Sequence, residues 1–131
     1  MIGFVLLSLS LNQVLFAQAK TKTASGHSTA TAKKLTEAEK IDLLINYIKN
    51  LQGATFIRNG DEYPSKDAAE HLQMKRRKAG SRVKTAREFI DGLASESYIS
   101  GEEYQIRMKD GKTYKSRDIL MRELERIEKQ K

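Results

Sequence analysis

Residues 54–65 read ATFIRNGDEYPS, and this stretch indicates a β-hairpin that leads directly into a helix. Asn59-Gly60 is the strongest short hairpin signal, because both central residues of a type I′ turn need a positive φ. Ser65 stands where a helix cap is expected, and the helix after it is predicted to run to about Ala79. Strand and helix signals this close together predict a small α+β domain.

Capping boxes predict the starts of two further helices. In each box, a Thr side chain accepts a hydrogen bond from a free backbone N–H, and a Glu three residues later reaches back to the N–H of the Thr. Thr36 and Glu39 form the first box, and apolar residues then recur at helical spacing until Gly53 ends the helix. Thr85 and Glu88 form the second box and open the third helix of the chain.

A second hairpin and a last helix are predicted in residues 104–129. Tyr104, Ile106 and Met108 alternate with polar residues, and Asp110-Gly111 supplies a turn. Ser116 is expected to cap the last helix. The apolar residues that would form the buried face of this helix are Ile119, Leu120, Leu124 and Ile127.

The predicted order is helix, hairpin, helix, followed by helix, hairpin, helix. Residues 63–67 (YPSKD) and residues 114–118 (YKSRD) are similar, and each leads from a hairpin into a helix. One interpretation is an internal quasi-repeat. The other is that both stretches merely satisfy the same strand-to-helix capping chemistry, with Ser at the cap and Asp in the first turn.

The chain divides into three parts by composition. Residues 1–19 contain no charged side chain and end in Ala17-Gln18-Ala19, which is typical of a signal peptide cleaved after Ala19. A membrane anchor is the alternative, but the apolar run is shorter than the ~20 residues that a spanning helix needs. Residues 20–35 are predicted to be a flexible polar tether, and residues 36–131 to be the α+β domain. We therefore expect a periplasmic or extracellular protein, with no transmembrane segment after cleavage of the leader.

Positive charge is concentrated in one part of the chain. Residues 71–87 hold seven Lys or Arg and no Asp or Glu, whereas the whole chain has a formal net charge of +7. The predicted tether adds four lysines, so the remaining residues are together net acidic. A charge run is most often only a solvated surface, but a run this one-sided also suits an anionic partner.

The basic residues suggest an anion site at the start of the third helix. Lys84 and Arg87 flank its N-terminus, where the helix macrodipole disfavours cations, so an anion bound to the free N–H groups would offset them. Arg76 falls within the apolar stripe of the second helix, and we expect its guanidinium to find a carboxylate or a partner. The full set of candidate anion-binding residues is Arg82, Lys84, Arg87, Lys75, Arg76, His71 and Arg58.

An anionic component of the cell envelope, or an acidic protein surface, is the partner that these features favour. Nucleic acid is disfavoured because the chain carries an export signal and few aromatic residues lie near the basic cluster to stack on bases. The sequence thus predicts an envelope binding or accessory domain rather than an enzyme, and we assign no catalytic residues.

Two other functions stay open. His71 could act as a general base with a serine of the Ser95–Ser100 loop in a small hydrolase or transferase, although nothing marks these serines as activated. The domain could also be a structural module that self-associates through its hairpins. No cofactor is expected. No dedicated metal site is expected either, because the chain has no Cys and its second histidine, His27, lies in the tether.

Several short stretches, in the same order along the chain, resemble those of known proteins. Residues 56–60 (FIRNG), 69–72 (AEHL) and 82–86 (RVKTA), with the segment from Ser97 to Tyr104, resemble the YfeK-like family of small bacterial proteins of unknown function. The resemblance covers the predicted domain and leaves out the leader and the tether. It implies an exported protein with one domain, and it supplies no catalytic or binding residues.

Overall fold

The structure is a computed structural model that describes residues 33–130, so the predicted leader and residues 20–32 of the predicted tether lie outside the described residues. The described chain contains α1 (Glu37–Lys49), β1 (Thr55–Arg58), β2 (Asp61–Pro64), α2 (Ser65–Ala79), a 3-10 turn (Gly80–Arg82), α3 (Ala86–Leu93), β3 (Gln105–Arg107), β4 (Thr113–Lys115) and α4 (Ser116–Lys129). The predicted α+β class is confirmed. Among these helices, none has the length and apolar character needed to cross a bilayer.

Both predicted capping boxes are present. The Thr36 N–H donates to Glu39 Oε2 at 2.7 Å, and the Glu39 N–H donates to Thr36 Oγ1 at 3.2 Å. Thr85 and Glu88 make the same reciprocal pair at 3.1 Å in both directions. These contacts connect residues only three positions apart, which is why the sequence pattern alone predicts them.

The two serines predicted as helix caps do not cap their helices. Ser65 and Ser116 are the first helical residues of α2 and α4, and neither helix has a side-chain cap. The Ser65 hydroxyl instead donates to the Leu51 carbonyl oxygen at 2.7 Å, which ties the start of α2 to the end of α1. The Ser116 side chain is buried, and its N–H donates to the Tyr104 carbonyl oxygen at 2.8 Å. In both places the strand continues directly into the helix without a capping residue. The two serines donate to carbonyl oxygens elsewhere in the fold instead of capping their own helices.

The four strands form one antiparallel sheet in the order β2-β1-β3-β4. Asn59 and Gly60 both have positive φ, as a type I′ turn requires. The two hairpins meet at the central β1–β3 pair, in which Phe56 is opposite Ile106. An internal two-fold repeat would give this arrangement, and the repeat itself stays a prediction.

One hydrophobic core joins the helices to one face of the sheet. Phe56 and Ile106 enter it from the strands, and Leu35, the last residue assigned to the tether, packs against it. The largest fully buried side chains include Phe89, Leu44, Ile48, Ile90 and Leu120. Apart from Ile57, the opposite sheet face is mostly polar, and it carries an ion pair of 2.8 Å between Arg107 and Glu62, as expected for an antiparallel sheet covered on one side.

Candidate functional site

A pocket of about 220 Å³ opens between the first hairpin and α2. The hairpin contributes Phe56 and Tyr63, and Tyr104 adds a further aromatic side chain. The helix contributes Ala68 and Leu72 at this side. The Ala68 side chain is a single methyl group, so it fills little of the space between the helix and the strands.

Arg58 and His71 lie together in this pocket. Arg58 Nη1 is 2.7 Å from His71 Nε2 and 3.2 Å from Nδ1. Since a guanidinium can only donate, the imidazole accepts the hydrogen bond and is therefore in its neutral form. Arg58 Nη2 also donates to the Tyr63 hydroxyl at 3.3 Å, and the guanidinium carbon lies 5.1 Å from the centre of the Tyr63 ring.

The electrostatic surroundings keep His71 neutral. Burial lowers the pKa of His71 below its usual value, and the positive charges of Arg58, Lys75 and Lys78 lower it further. A neutral imidazole can accept the hydrogen bond that Arg58 donates. At neutral pH the Arg58 guanidinium therefore lies beside an uncharged His71 ring in the pocket.

Lys75 has a role inside the fold. Its ammonium donates to the Leu93 carbonyl oxygen at 2.7 Å and to the Tyr104 hydroxyl at 3.1 Å. The last turn of α3 contains no basic residue, so Lys75 supplies the positive charge that favours a helix C-terminus. This contact fixes α2 against α3 and engages the Lys75 ammonium within the fold.

A second depression, of about 280 Å³, lies on the other side of α2. Arg76, Arg77 and Lys84 line it together with Gly80 and Val83. We call these five residues the basic depression. The prediction that the Arg76 guanidinium finds a carboxylate is confirmed.

The Arg76 guanidinium forms an ion pair with Asp42 of α1 and donates to the Ala38 carbonyl oxygen at 3.3 Å. Within residues 33–130, Arg77 and Lys84 have no carboxylate within ion-pair distance. Two of the three cations in the basic depression are therefore unpaired in the described part of the chain.

The N–H groups of residues 84–86, at the start of α3, donate to carboxylates of the protein itself, which corrects the predicted anion site there. The Ala86 N–H donates to Glu37 Oε2 of α1 at 2.8 Å. The N–H groups of Lys84 and Thr85 donate to the Glu88 carboxylate at 2.7 and 3.1 Å. The sequence predicts an anion at this helix N-terminus, and the Glu37 carboxylate takes that place. Glu37 lies 49 positions before Ala86 in the chain.

Arg82 and Arg87 do not join the basic depression. The exposed Arg82 side chain turns back to the end of α2 and donates to the carbonyl oxygens of Lys78 at 2.9 Å and Ala79 at 3.2 Å. Arg87 points toward the Met121 sulfur, at 4.0 Å. The predicted site residues therefore separate into Arg58 and His71 in the pocket, Arg76 and Lys84 in the depression, and three residues that contact other parts of the fold.

The serine loop makes structural contacts and does not reach His71. Ser95 Oγ donates to the Ile90 carbonyl oxygen at 2.5 Å, and Ser100 Oγ donates to Asn59 Oδ1 at 2.6 Å. Ser97 is buried and accepts a hydrogen bond from the Ser100 N–H at 3.4 Å. None of the three serines lines the pocket that contains His71.

Sequence reasoning missed the aromatic residues that build the pocket. The sequence predicts Tyr63 and Tyr104 only as strand residues, yet each contacts a candidate cation, Arg58 or Lys75. The strand alternation could have placed Tyr63 on the same sheet face as Arg58, because Tyr63 pairs with Phe56, two residues before Arg58. In the described part of the chain, no group of three or more His, Cys, Asp or Glu side chains could hold a metal ion.

Comparison with known proteins places the chain in a family. Residues 35–128 match a family described as "Family of unknown function (DUF5329)". The chain belongs to this family. A relative described as "Uncharacterized protein YfeK", from Salmonella typhimurium, is 37% identical over 68 residues, which span 52% of this chain and 57% of the relative. The resemblance to YfeK-like proteins is thereby confirmed. No solved structure matches the chain.

Proposed function

We propose that the chain is a non-enzymatic binding domain of the bacterial cell envelope that holds an anionic partner at the basic depression. The observation that carries the proposal is the set of seven cations without a single acid in residues 71–87, three of which line this one depression. Arg76 is paired with Asp42, which leaves Arg77 and Lys84 to meet a partner.

Ion pairs elsewhere on the surface show the kind of neighbour that Arg77 and Lys84 lack. Lys115 lies against Glu103 and Arg117 against Asp91, both at 2.8 Å. Exposed pairs of this kind contribute little to stability, but they neutralise charge locally. Arg77 and Lys84 have no such neighbour in the described residues, so the positive potential around them is not cancelled.

The chemistry of the depression favours a phosphate- or carboxylate-bearing envelope component over nucleic acid. Besides the cations, Ala38, Ile41 and Gln73 line it, and none of these can stack on a base. The predicted leader gives the same preference, because it directs the chain to the envelope. An acidic protein surface would satisfy the same cations.

The hydrolase or transferase alternative has less support. It required His71 and a serine of the Ser95–Ser100 loop to meet, and these serines are engaged by Ile90 and Asn59 instead. A general base must lie within hydrogen-bond reach of the proton that it removes. We therefore keep the binding proposal.

Charge reversal at the basic depression tests the proposal. The chain from Lys33 onward contains every core residue of the part that the structure describes, and we expect it to sediment with phosphatidylglycerol vesicles but not with phosphatidylcholine vesicles. The variant Arg77→Glu/Lys84→Glu should lose this binding. The control Lys109→Glu/Lys112→Glu changes the net charge equally at exposed residues of the second hairpin and should retain most of it. Equal loss of vesicle binding in both variants would show that binding depends only on net charge, and it would overturn the proposed site.

A further inference from the structure

Arg58 is a half-buried cation without a counter-ion in the described part of the chain. Its hydrogen-bond partners are the neutral imidazole of His71 and the hydroxyl of Tyr63. Withdrawing a charge from water costs free energy that neutral acceptors offset only in part, because an opposite charge interacts more strongly at low dielectric. Arg58 thus has the environment of a residue that an anion would complete.

The walls of the pocket beside Arg58 are mostly apolar. Phe56, Tyr63, Leu72 and Tyr104 line it. Ligand sites combine apolar walls with a few polar groups that fix orientation, and those for drug-sized molecules measure roughly 300–1,000 Å³. A volume of about 220 Å³ therefore suits a smaller molecule that has one charged end and an apolar body.

Asp67 restricts the charge of that molecule. It lines the same pocket, lies one helical turn before His71 on α2, and has no ion-pair partner within residues 33–130. This carboxylate repels any negative charge in the pocket, and Arg58 can offset only one, so a second negative charge on the ligand would be repelled without compensation. A monoanion is consequently better suited to the pocket than a phosphate ester or a dicarboxylate.

We propose that this pocket binds a small monocarboxylate with an aromatic or branched aliphatic body. The carboxylate pairs with Arg58, while His71 and Tyr63 hold the guanidinium in place. The apolar body packs against Phe56 and Leu72. This site lies on the other side of α2 from the basic depression, and it does not depend on the function proposed for that depression.

Titration with defined probes tests the assignment. With the chain from Lys33 onward, phenylacetate and isovalerate should cause saturable amide chemical-shift changes at residues around the pocket. Phenylacetamide, the neutral analogue, should bind at least about tenfold more weakly, since hydrogen bonds to a charged partner contribute about 1.5–3 kcal/mol. Equal affinity for acid and amide, or no saturation by either carboxylate at about 10 mM, where binding would contribute less than about 3 kcal/mol, would overturn the proposal.

Three variants locate the binding. Arg58→Gln should weaken phenylacetate binding at least about tenfold, for the same physical reason. Arg107→Gln, on the outer face of the same sheet, is the matched control and should leave it unchanged. Ala68→Leu should fill the pocket and abolish binding in a folded protein. If Ala68→Leu does not fold, the Arg58→Gln and Arg107→Gln pair decides alone: equal affinities in these two variants would place the ligand elsewhere and overturn the assignment.

Discussion

The Glu37 carboxylate accepts a hydrogen bond from the Ala86 backbone N–H, with 2.8 Å between Oε2 and N. Through this contact, the first turn of α1 supplies the negative charge that the N-terminus of α3 favours. The other oxygen of Glu37 lies 2.6 Å from the ammonium of Lys40, which is nearly buried and also contacts Glu128 of α4 at 2.9 Å. Glu37 and Lys40 together thereby connect α1 to α3 and to α4.

We expect Glu37→Gln to lower the free energy of unfolding by about 1 kcal/mol. The variant removes the charge that faces the α3 dipole and one of the two carboxylates on Lys40, and such charge-assisted contacts at a partly exposed site are worth about that amount. Urea unfolding measures the loss. Glu70→Gln, at an exposed residue 4.0 Å from Lys66, is the control and should change stability by less than about 0.5 kcal/mol. Equal effects in the two variants would contradict the connecting role of Glu37.

Leu44 is fully buried and should be essential to the core. Leu44→Ala removes apolar contacts and leaves a cavity, so we expect a loss of about 2–5 kcal/mol. Its neighbour Leu43 is 40% exposed on the same helix, and Leu43→Ala should cost less than about 1 kcal/mol. Thermal or urea unfolding of both variants checks this. A loss at Leu44 no larger than that at Leu43 would show that the buried face of α1 is assigned wrongly.

Local signals predicted the helix starts and turns, and non-local contacts account for the rest of the fold. Thr36, Thr85 and the Asn59-Gly60 turn act over two to four residues, so the sequence alone reveals them. The pairing of β1 with β3 connects residues about fifty positions apart, and no local pattern encodes it. Ser65 and Ser116 were misassigned for the same reason, because their contacts are made with Leu51 and Tyr104 outside the local turn.

The sequence predicts which residues belong to the candidate site, but it does not predict how the fold arranges them. The charge run in residues 71–87 is visible in the sequence, whereas the division of its members between two sides of α2 depends on tertiary packing. Glu37 could not be foreseen as the anion at α3, because 49 residues separate it from Ala86. Arg58 and His71 were both candidates, and only the fold brings them to 2.7 Å.

His71 should make stability depend on pH. Burial, then Arg58 and the nearby lysines, lowers the pKa of His71 in the folded state below the ordinary value of 6.5. The unfolded chain therefore takes up the proton first, and stability present above pH 6.5 is lost as the pH falls below that value. His71→Gln should remove this loss.

Urea unfolding of the chain from Lys33 onward, measured at pH 7.5 and about pH 5.5, tests the role of His71. This pH range lies above the titration of Glu37 and Glu39, whose pKa values are lowered below 4.5. Wild-type stability should fall between the two pH values by more than that of His71→Gln. The same pH dependence in both proteins would exclude His71 as its source.

The predicted signal peptide can be tested separately, by finding where the protein is recovered and at which residue it begins. When the full chain is expressed in a bacterium, we expect it to be recovered from the periplasm or the medium with Lys20 as its first residue, since Ala17 and Ala19 provide the small residues that a signal peptidase needs. Mass spectrometry of the intact protein identifies the terminus. Recovery of the uncleaved chain from the membrane fraction would favour a membrane anchor instead.

The most direct measurement for the proposed function is an amide chemical-shift map of the chain from Lys33 onward, titrated with soluble polyphosphate at several salt concentrations. We predict the largest changes at Gly80, Val83 and Lys84, weaker changes as salt screens the contact, and their disappearance in Arg77→Glu/Lys84→Glu. Changes of equal size at Lys109 and Lys112 of the second hairpin, or no saturable change at the basic depression, would contradict the proposal.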